Sequence, residues 1–126
     1  MTATDVFVMN AVELTGKIAV SPGELHVLLC GCADSRVMTP LRELVTKAHD
    51  EMLRTKTPEA VVDFRDLEFM NSSCFKAFVG WISQVQDLDD ETRYRIRFLS
   101  DRAKPWQRRS LAALSCFAAD IIHVEA

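Results

Sequence analysis

The fold is decided by residues 61–79, which read VVDFRDLEFMNSSCFKAFV. A short apolar run, typical of a buried strand, leads to the polar corner Asn71-Ser72-Ser73, where an amphipathic helical pattern begins. This order places two hydroxyl groups at the N-terminus of a helix, directly after the end of a strand. Unpaired backbone N–H groups and a partial positive charge suit such a terminus to an anion. The stretch therefore predicts a strand–corner–helix unit that can hold a phosphate or receive one.

Length and charge limit the classes of function that this chain can have. It has 126 residues and a formal net charge of −3. This length is typical of one domain, and we expect a single domain over residues 1–126. Apolar residues make up 48% and charged residues 26%, a balance typical of globular proteins. The negative net charge and the scattered Lys and Arg residues argue against a nucleic-acid partner.

The sequence shows no signal for membrane insertion or export. No apolar segment approaches the roughly 20 residues that span a bilayer. The first residues, MTATDVFVMNAV, lack the basic region and long apolar core of a signal peptide. The cysteines lie in apolar segments, as small buried thiols do in reducing compartments: Cys30, Cys32, Cys74 and Cys116. These features predict a cytoplasmic protein with buried free thiols.

The first third of the chain is predicted to form strands. Residues 5–12 and 17–20 are short stretches rich in Val and Ile, with a break near residues 15–16. Residues 21–24, SPGE, form a turn sequence in which Pro sets φ and Gly supplies a positive φ. The continuous apolar run LHVLLCGC, residues 25–32, is typical of a central strand covered on both faces.

A helix and a strand are predicted next. From Met38 onward, apolar residues at positions 41, 44, 45, 48 and 52 follow the spacing of one helical face. Pro40 suits the first helical turn, where its missing N–H costs nothing. Residues 56–58 end this helix, residues 60–64 form a short strand, and residues 65–67 form a loop.

Helices and strands alternate through the second half of the chain. The second helix begins at the corner, and its apolar stripe is formed by Phe75, Phe78, Val79 and Ile82. Residues 94–98 alternate between apolar side chains and Arg, the period of a strand with one wet face. A third helix follows Pro105, and residues 121–124 form a short last strand. This order predicts an α/β domain with a small, mixed, mostly parallel sheet and helices largely on one face.

The corner supports two interpretations. Asn71 is a strong N-cap candidate, because its side-chain oxygen can accept from an N–H two or three residues on. In the plainer interpretation, Asn71, Ser72 and Ser73 only cap the helix. In the other, Ser72 receives a phosphoryl group, which adds about −1.5 to −2 charges that the helix dipole stabilises by roughly 0.3–1 kcal/mol. A partner packed on the corner would then meet new bulk and charge.

The corner resembles the signature of a known family. Residues 64–82, FRDLEFMNSSCFKAFVGWI, are similar to the STAS domain of anti-sigma factor antagonists, in which a Met-Asp-Ser-Ser/Thr-Gly-Leu corner joins a strand to a helix. Residues 28–34, LLCGCAD, stand where family members carry a strand ending in Gly-Glu-Leu-Asp. Residues 108–124, RRSLAALSCFAADIIHV, are similar to the last helix and strand of the family. The resemblance covers roughly residues 25–124 and implies the STAS fold.

The resemblance also implies a non-enzymatic phosphorylation switch. Unphosphorylated family members bind a protein partner, often a serine kinase that is also an anti-sigma factor. The kinase phosphorylates the first hydroxyl residue after the Asp, and a metal-dependent phosphatase of the PP2C type removes the phosphate. Carried onto this chain, the phosphoacceptor is Ser72. The residues expected to contact the partner are Asn71, Ser73, Cys74, Lys76, Asp34 and Ser35.

The chain departs from the family signature at two positions. Asn71 replaces the acidic residue and Cys74 replaces the glycine, so the chain differs from a standard antagonist. Some outlying STAS-like regulators of biofilm formation and surface attachment also carry Asn before their hydroxyl pair. They carry a Lys four residues after the first hydroxyl, which is the position of Lys76. The identity of the partner stays open.

A second motif, Cys-Ala-Asp-Ser-Arg, occupies residues 32–36. It is similar to the Cys-x-Asp-Ser-Arg motif of β-class carbonic anhydrases, in which the Cys binds zinc. That site also needs a downstream His-x-x-Cys, and no histidine of this chain has a Cys three residues later. A zinc enzyme is therefore a remote alternative, and we expect no metal, cofactor or catalytic residue. Asp34 and Ser35 are instead expected to cap the first helix near the corner, with Arg36 either solvated or in contact with a partner or a phosphate.

The sequence thus predicts a phospho-regulated signalling switch that binds a serine kinase or anti-sigma factor through the face around Ser72. An alternative is a binding subunit of a larger assembly, such as a lipid transporter or a stressosome-like scaffold, in which the corner is not phosphorylated. Trp81 is expected in the core, or half-exposed on the partner surface. The switch requires that the Ser72 side chain is exposed.

Overall fold

The computed structural model describes residues 4–125. These residues form strands and α-helices, together with a short 3₁₀ helix at Ser35–Val37. The elements are β1 (Thr4–Ala11), β2 (Leu14–Ser21), β3 (Glu24–Ala33), α1 (Met38–Thr55), β4 (Glu59–Met70), α2 (Ser72–Gln86), β5 (Arg95–Leu99), α3 (Pro105–Phe117) and β6 (Ile122–Glu125).

The strands form one mixed sheet in which spatial order follows sequence order, from β1 to β6. Short turns join β1 to β2 and β2 to β3, and these pairs are antiparallel. From β3 onward the neighbouring strands are parallel, because a helical segment lies in each connection. The prediction of a small, mixed, mostly parallel sheet is confirmed.

The helices cover one face of this sheet. In β3, Leu25, Val27 and Leu29 are buried, whereas Leu28 and Cys30 on the opposite face are exposed. The prediction that this strand is covered on both faces is therefore wrong. Leu28 and Cys30 are apolar, but no helix within residues 4–125 packs over them.

The cysteines are less buried than their apolar surroundings predict. Cys74 is buried, Cys32 is half-buried, and Cys30 and Cys116 are exposed. Cys30 lies on the open face of the sheet, so an apolar neighbourhood in sequence does not place it in the core. The prediction of four buried thiols is wrong for three of them.

Two strands extend further than predicted. β2 runs through residues 15–16, where the sequence predicts a break, because Gly16 pairs with Met9 of β1 and Leu29 of β3. A Cβ at Gly16 would lie 2.9 Å from Leu44 Cδ2, so the position suits glycine. β4 runs through the loop predicted at residues 65–67. Gln107 of α3 supports that part of β4, since its Nε2 donates to the carbonyl oxygens of Phe64 at 2.6 Å and Leu67 at 2.9 Å.

The helices lie where the periodicity predicts them, but the inward stripe of α2 is shifted: Phe78 and Ile82 are buried as predicted, whereas Phe75 and Val79 are half-buried. α1 spans Met38–Thr55 and α2 begins at Ser72. The buried stripe of α2 is formed by Cys74, Phe78, Trp81, Ile82 and Val85. Trp81 is 1% exposed, so it belongs to the core and adds nothing to a partner surface. No helix within residues 4–125 is both long and apolar enough to cross a membrane.

Candidate partner-binding site

The corner between β4 and α2 has the geometry of a capped helix N-terminus. Asn71 has an extended backbone (φ −80°, ψ 171°), and its Oδ1 accepts a hydrogen bond from the Cys74 N–H at 2.9 Å. Its carbonyl oxygen accepts from the Phe75 N–H at 3.0 Å. The prediction that Asn71 caps the helix is confirmed, and Ser72 is the first helical residue.

The hydroxyl groups at this corner have spare hydrogen-bonding capacity. The Ser72 side chain is exposed, and that of Ser73 is half-buried. Within residues 4–125, no hydrogen bond engages either hydroxyl. The first N–H groups of a helix also lack intrahelical acceptors, and the dipole makes this end partly positive. An anion attached to Ser72 would therefore meet solvent, unpaired donors and a favourable field.

Cys74 joins the corner to the end of β3. It is fully buried, and its Sγ donates to the Asp34 carbonyl oxygen at 3.2 Å. The Asn71 N–H donates to the Ala33 carbonyl oxygen at 2.9 Å. Burial raises the pKa of the Cys74 thiol, which keeps it protonated as a donor. The expectation that Cys74 contacts a partner is wrong for its side chain, because that side chain faces the core and positions the corner.

The segment after β3 lies beside the corner, as predicted. Asp34 caps the 3₁₀ helix that leads into α1, since its Oδ1 accepts from the Arg36 N–H at 2.9 Å. The prediction that Asp34 and Ser35 cap α1 itself is wrong, because the N-cap residue of α1 is Val37, which makes no side-chain cap hydrogen bond. The Arg36 guanidinium also donates to both Asp34 carboxylate oxygens and to Glu13. These hydrogen bonds hold the pKa of Asp34 below its usual range. Arg36 is thus occupied by two carboxylates, and Ser35 is exposed.

A glycine allows the β1–β2 turn to approach this segment. Gly31 has φ +110°, and a Cβ there would lie 2.1 Å from the Glu13 carbonyl oxygen. That oxygen accepts a hydrogen bond from the Cys32 N–H at 2.7 Å. The approach brings Glu13 to Arg36. Sequence reasoning missed this contact, since its signal is only a glycine inside an apolar strand.

Two surface grooves border α2. The first, of about 390 Å³, separates the start of α2 from α3 and is lined by Met70, Asn71, Ser72, Phe75, Arg109, Ser110 and Ala113. The second, of about 350 Å³, lies between α1 and α2, and Lys76 and Gly80 are among its lining residues. Ser72 and Lys76 therefore belong to different grooves, although they lie one turn apart.

The outer surface of α2 carries little charge. Lys76 is its single charged residue between Ser72 and Gln86, and the Lys76 side chain is exposed. The aromatic ring of Phe69, just before the corner, is 49% exposed. Single exposed apolar side chains are common on protein surfaces, so only its place two residues before Asn71 makes Phe69 a candidate contact. Sequence reasoning did not select Phe69, because the place of a residue in an apolar strand does not show that its side chain is exposed.

A buried polar cluster lies beneath α1 and α2. The Trp81 Nε1–H donates to the Tyr94 hydroxyl oxygen at 2.6 Å, and that hydroxyl lies 2.6 Å from His49 Nδ1. Trp81 can only donate, so the Tyr94 oxygen accepts from it, whereas the donor of the Tyr94–His49 hydrogen bond depends on the tautomer of His49. Burial raises the pKa of Tyr94 and lowers that of His49. The cluster is closed to a partner and serves the fold.

The zinc-like motif at residues 32–36 does not form a metal centre. Within residues 4–125, no three His, Cys, Asp or Glu side chains converge as metal ligands would. Asp34 is bound to Arg36, while Cys32 is half-buried at the end of β3. The motif instead turns the chain from β3 into α1.

Comparison with known proteins identifies the fold. The chain is similar to an anti-sigma factor antagonist from Mycobacterium paratuberculosis, with a TM-score of 0.62 and 17% identity over 91% of this chain and 90% of that one. It is also similar to the anti-sigma factor antagonist SpoIIAA in its unphosphorylated form, with a TM-score of 0.60 and 16% identity over 88% of this chain and 87% of that one. Neither a family model nor a curated protein matches the sequence. The chain therefore has the STAS fold of anti-sigma factor antagonists.

Proposed function

We propose that this protein is a partner-switching regulator whose binding to another protein is controlled by a phosphate on Ser72. The observation that carries the proposal is the exposed Ser72 hydroxyl at the first position of α2, free of any structural hydrogen bond within residues 4–125. The two similar structures named above are of anti-sigma factor antagonists, and one of them is in its unphosphorylated form. The proposal places the protein in the cytoplasm, where ATP-dependent kinases act.

The chain receives the phosphate and performs no chemistry of its own. A serine kinase transfers the γ-phosphoryl group of ATP: the bond from Ser72 Oγ to phosphorus forms, and the bond from phosphorus to ADP breaks. The hydroxyl proton leaves to a base that the kinase supplies. The product adds about −1.5 to −2 charges at the positive end of α2. A metal-dependent phosphatase of the PP2C type hydrolyses the phosphate and resets the switch.

The partner, a serine kinase or anti-sigma factor, binds the unphosphorylated face. This face comprises the corner, the exposed Lys76 on α2, and the neighbouring segment with Asp34 and Ser35. Phe69 adds an apolar contact at its edge. Phosphate on Ser72 introduces charge and bulk at the centre of the face, and a packed interface tolerates neither.

Phosphorylation is tested with kinases encoded beside the gene. The purified protein is incubated with each kinase and ATP, and the product is mapped by mass spectrometry. We expect one phosphate on Ser72, none in Ser72→Ala, and unchanged incorporation in the matched control Ser73→Ala. Incorporation into Ser72→Ala at the wild-type level would rule out this acceptor.

The switch is tested by measuring how tightly the protein binds the kinase that phosphorylates Ser72 in the first experiment. Ser72→Asp places a charge at the corner, whereas Ser72→Asn has nearly the same shape without the charge. We expect Ser72→Asp to weaken binding at least tenfold relative to Ser72→Asn in isothermal titration calorimetry. Equal affinity of the two variants would show that charge at residue 72 does not control the partner.

A second candidate function is that of a binding subunit in a larger assembly, in which the corner contacts its partner without phosphate. The nearly uncharged outer surface of α2 favours it, since such a surface suits permanent docking as well as switching. Purification from the native host distinguishes the two functions. Stable association with a transporter ATPase or scaffold, with no phosphate on Ser72, would favour this second function.

A further inference from the structure

We propose that Arg109 is the internal counter-charge for a phosphorylated Ser72, binding the phosphate across the groove between α2 and α3. The inference rests on the proposed function, because it takes Ser72 as the phosphoacceptor. The inference extends the proposed function to Arg109 of α3, which is far from the corner in sequence. It also explains how a phosphate on Ser72 could alter the surface that the partner binds.

Ser72 and Arg109 line the same groove from opposite sides. Ser72 and Phe75 line its α2 side, and Arg109, Ser110 and Ala113 line its α3 side. Its volume of about 390 Å³ leaves room for a phosphoryl group and a guanidinium together. Both Ser72 and Arg109 have exposed side chains, so neither has to leave a packed position to meet the other.

Arg109 carries a positive charge that the fold does not use. Within residues 4–125 it takes part in no ion pair, whereas Arg36, Arg65 and Arg97 each bind carboxylates. Among the described residues, no Asp or Glu lines the groove. A guanidinium without a carboxylate partner, facing a cavity that holds a serine hydroxyl, is available for the anion that this hydroxyl would carry.

The other charged groups around Ser72 do not replace Arg109. Asp34, from the segment after β3, has its carboxylate bound by Arg36. Lys76 is one turn further along α2, but it lines the groove on the other side of the helix. The planar guanidinium of Arg109 can donate two parallel hydrogen bonds to phosphate, which a lysine ammonium cannot do.

The pairing would convert a local modification into a change of shape. A phosphate held by Arg109 occupies part of the groove and ties the start of α2 to α3. A partner side chain that enters the groove when Ser72 is unmodified would then be excluded. Charge repulsion and loss of the groove would act together on the partner.

The test measures the second pKa of a phosphate on residue 72. Phosphoserine is installed at position 72 of the full chain by genetic-code expansion, and its pKa is read from phosphorus NMR shifts during a pH titration. Free phosphoserine has a second pKa of about 6, and a bound cation lowers it. We expect Arg109→Gln to raise this pKa by roughly 0.2–0.7 pH unit relative to wild type, with Arg109→Lys in between.

Arg108→Gln is the matched control. Arg108 is the adjacent residue of α3 but lines a separate groove with Ser100 and Cys116. A rise in the phosphate pKa confined to Arg109→Gln supports the pairing. No rise, an equal rise in Arg108→Gln, or a rise in Lys76→Gln instead of Arg109→Gln would overturn it. Because the phosphate is installed without a kinase, this result is separate from the question of whether any kinase phosphorylates Ser72.

Discussion

The two ends of α2 use polar groups in opposite ways. At its N-terminus, the hydroxyls of Ser72 and Ser73 have no hydrogen-bond partner in the described part of the chain. Beneath its C-terminal half, the Tyr94 hydroxyl lies 2.6 Å from both Trp81 Nε1 and His49 Nδ1. A polar group that is already paired in the monomer stabilises the fold. A polar group left unpaired at the surface remains available to a partner or a modifying enzyme.

The largest loss of stability is expected from Gln107→Leu. Gln107 is fully buried; it donates to the Phe64 and Leu67 carbonyls and accepts from the Asp101 N–H. Leucine has a similar size but leaves these groups unpaired, which should cost about 3 kcal/mol in the free energy of unfolding measured with urea. The exposed Gln84→Leu is the control, with an expected change of less than about 0.5 kcal/mol. Similar losses in both variants would show that Gln107 contributes nothing as a polar anchor.

The second-largest loss of stability is expected from Tyr94→Phe. Removing the hydroxyl leaves Trp81 Nε1 and His49 Nδ1 buried without their partner, at a cost of about 2 kcal/mol. A double-mutant cycle with Trp81→Phe, followed by urea denaturation, tests the pairing. The two losses should be less than additive, because either change breaks the same hydrogen bond. If the stability losses of the two single variants add fully in the double variant, Trp81 and Tyr94 do not share a hydrogen bond.

A smaller loss of stability is expected from substitutions at the corner between β4 and α2. Asn71→Ala removes the cap to the Cys74 N–H and should cost about 1 kcal/mol. Ser72→Ala removes a hydroxyl without a structural partner, so its effect should stay within about 0.5 kcal/mol. Thermal unfolding of the two variants side by side measures the difference. An equal loss in both would mean that the Ser72 hydroxyl supports the helix and is not reserved for phosphate.

The mildest effect is a gradual dependence of stability on pH. Burial lowers the pKa of His49 below its ordinary value of 6.5 in the folded state. At pH values below about 6.5 the unfolded chain therefore binds a proton that the folded chain resists, and stability falls as the pH falls. Above that pH this contribution is fully present.

Urea titrations of His49→Gln between pH 5 and 8 isolate this contribution. The variant should lose the part of the pH dependence that wild type shows below about pH 6.5. His123→Gln, whose side chain is 67% exposed, should keep it. If His123→Gln removes the dependence and His49→Gln does not, the buried histidine is not its source.

Local patterns predicted the corner better than they predicted the sheet. Asn71 was identified as the cap because its residue type and its position before an amphipathic run are both local signals. The loop predicted at residues 65–67 was wrong, because that part of β4 is held by Gln107, which is distant in sequence. Cys30 was expected in the core and is exposed, because only the folded sheet shows which of its faces the helices cover.

The sequence alone determined the order of helices and strands, the capped start of α2 and the serine pair at that start. These features depend on hydrogen bonds and periodicities within a few residues. Tertiary structure decided that Cys74 faces the core, that Gly31 admits the β1–β2 turn, and that Arg109 shares a groove with Ser72. Those contacts join residues far apart in the chain, and their geometry exists only after the helices have packed on the sheet.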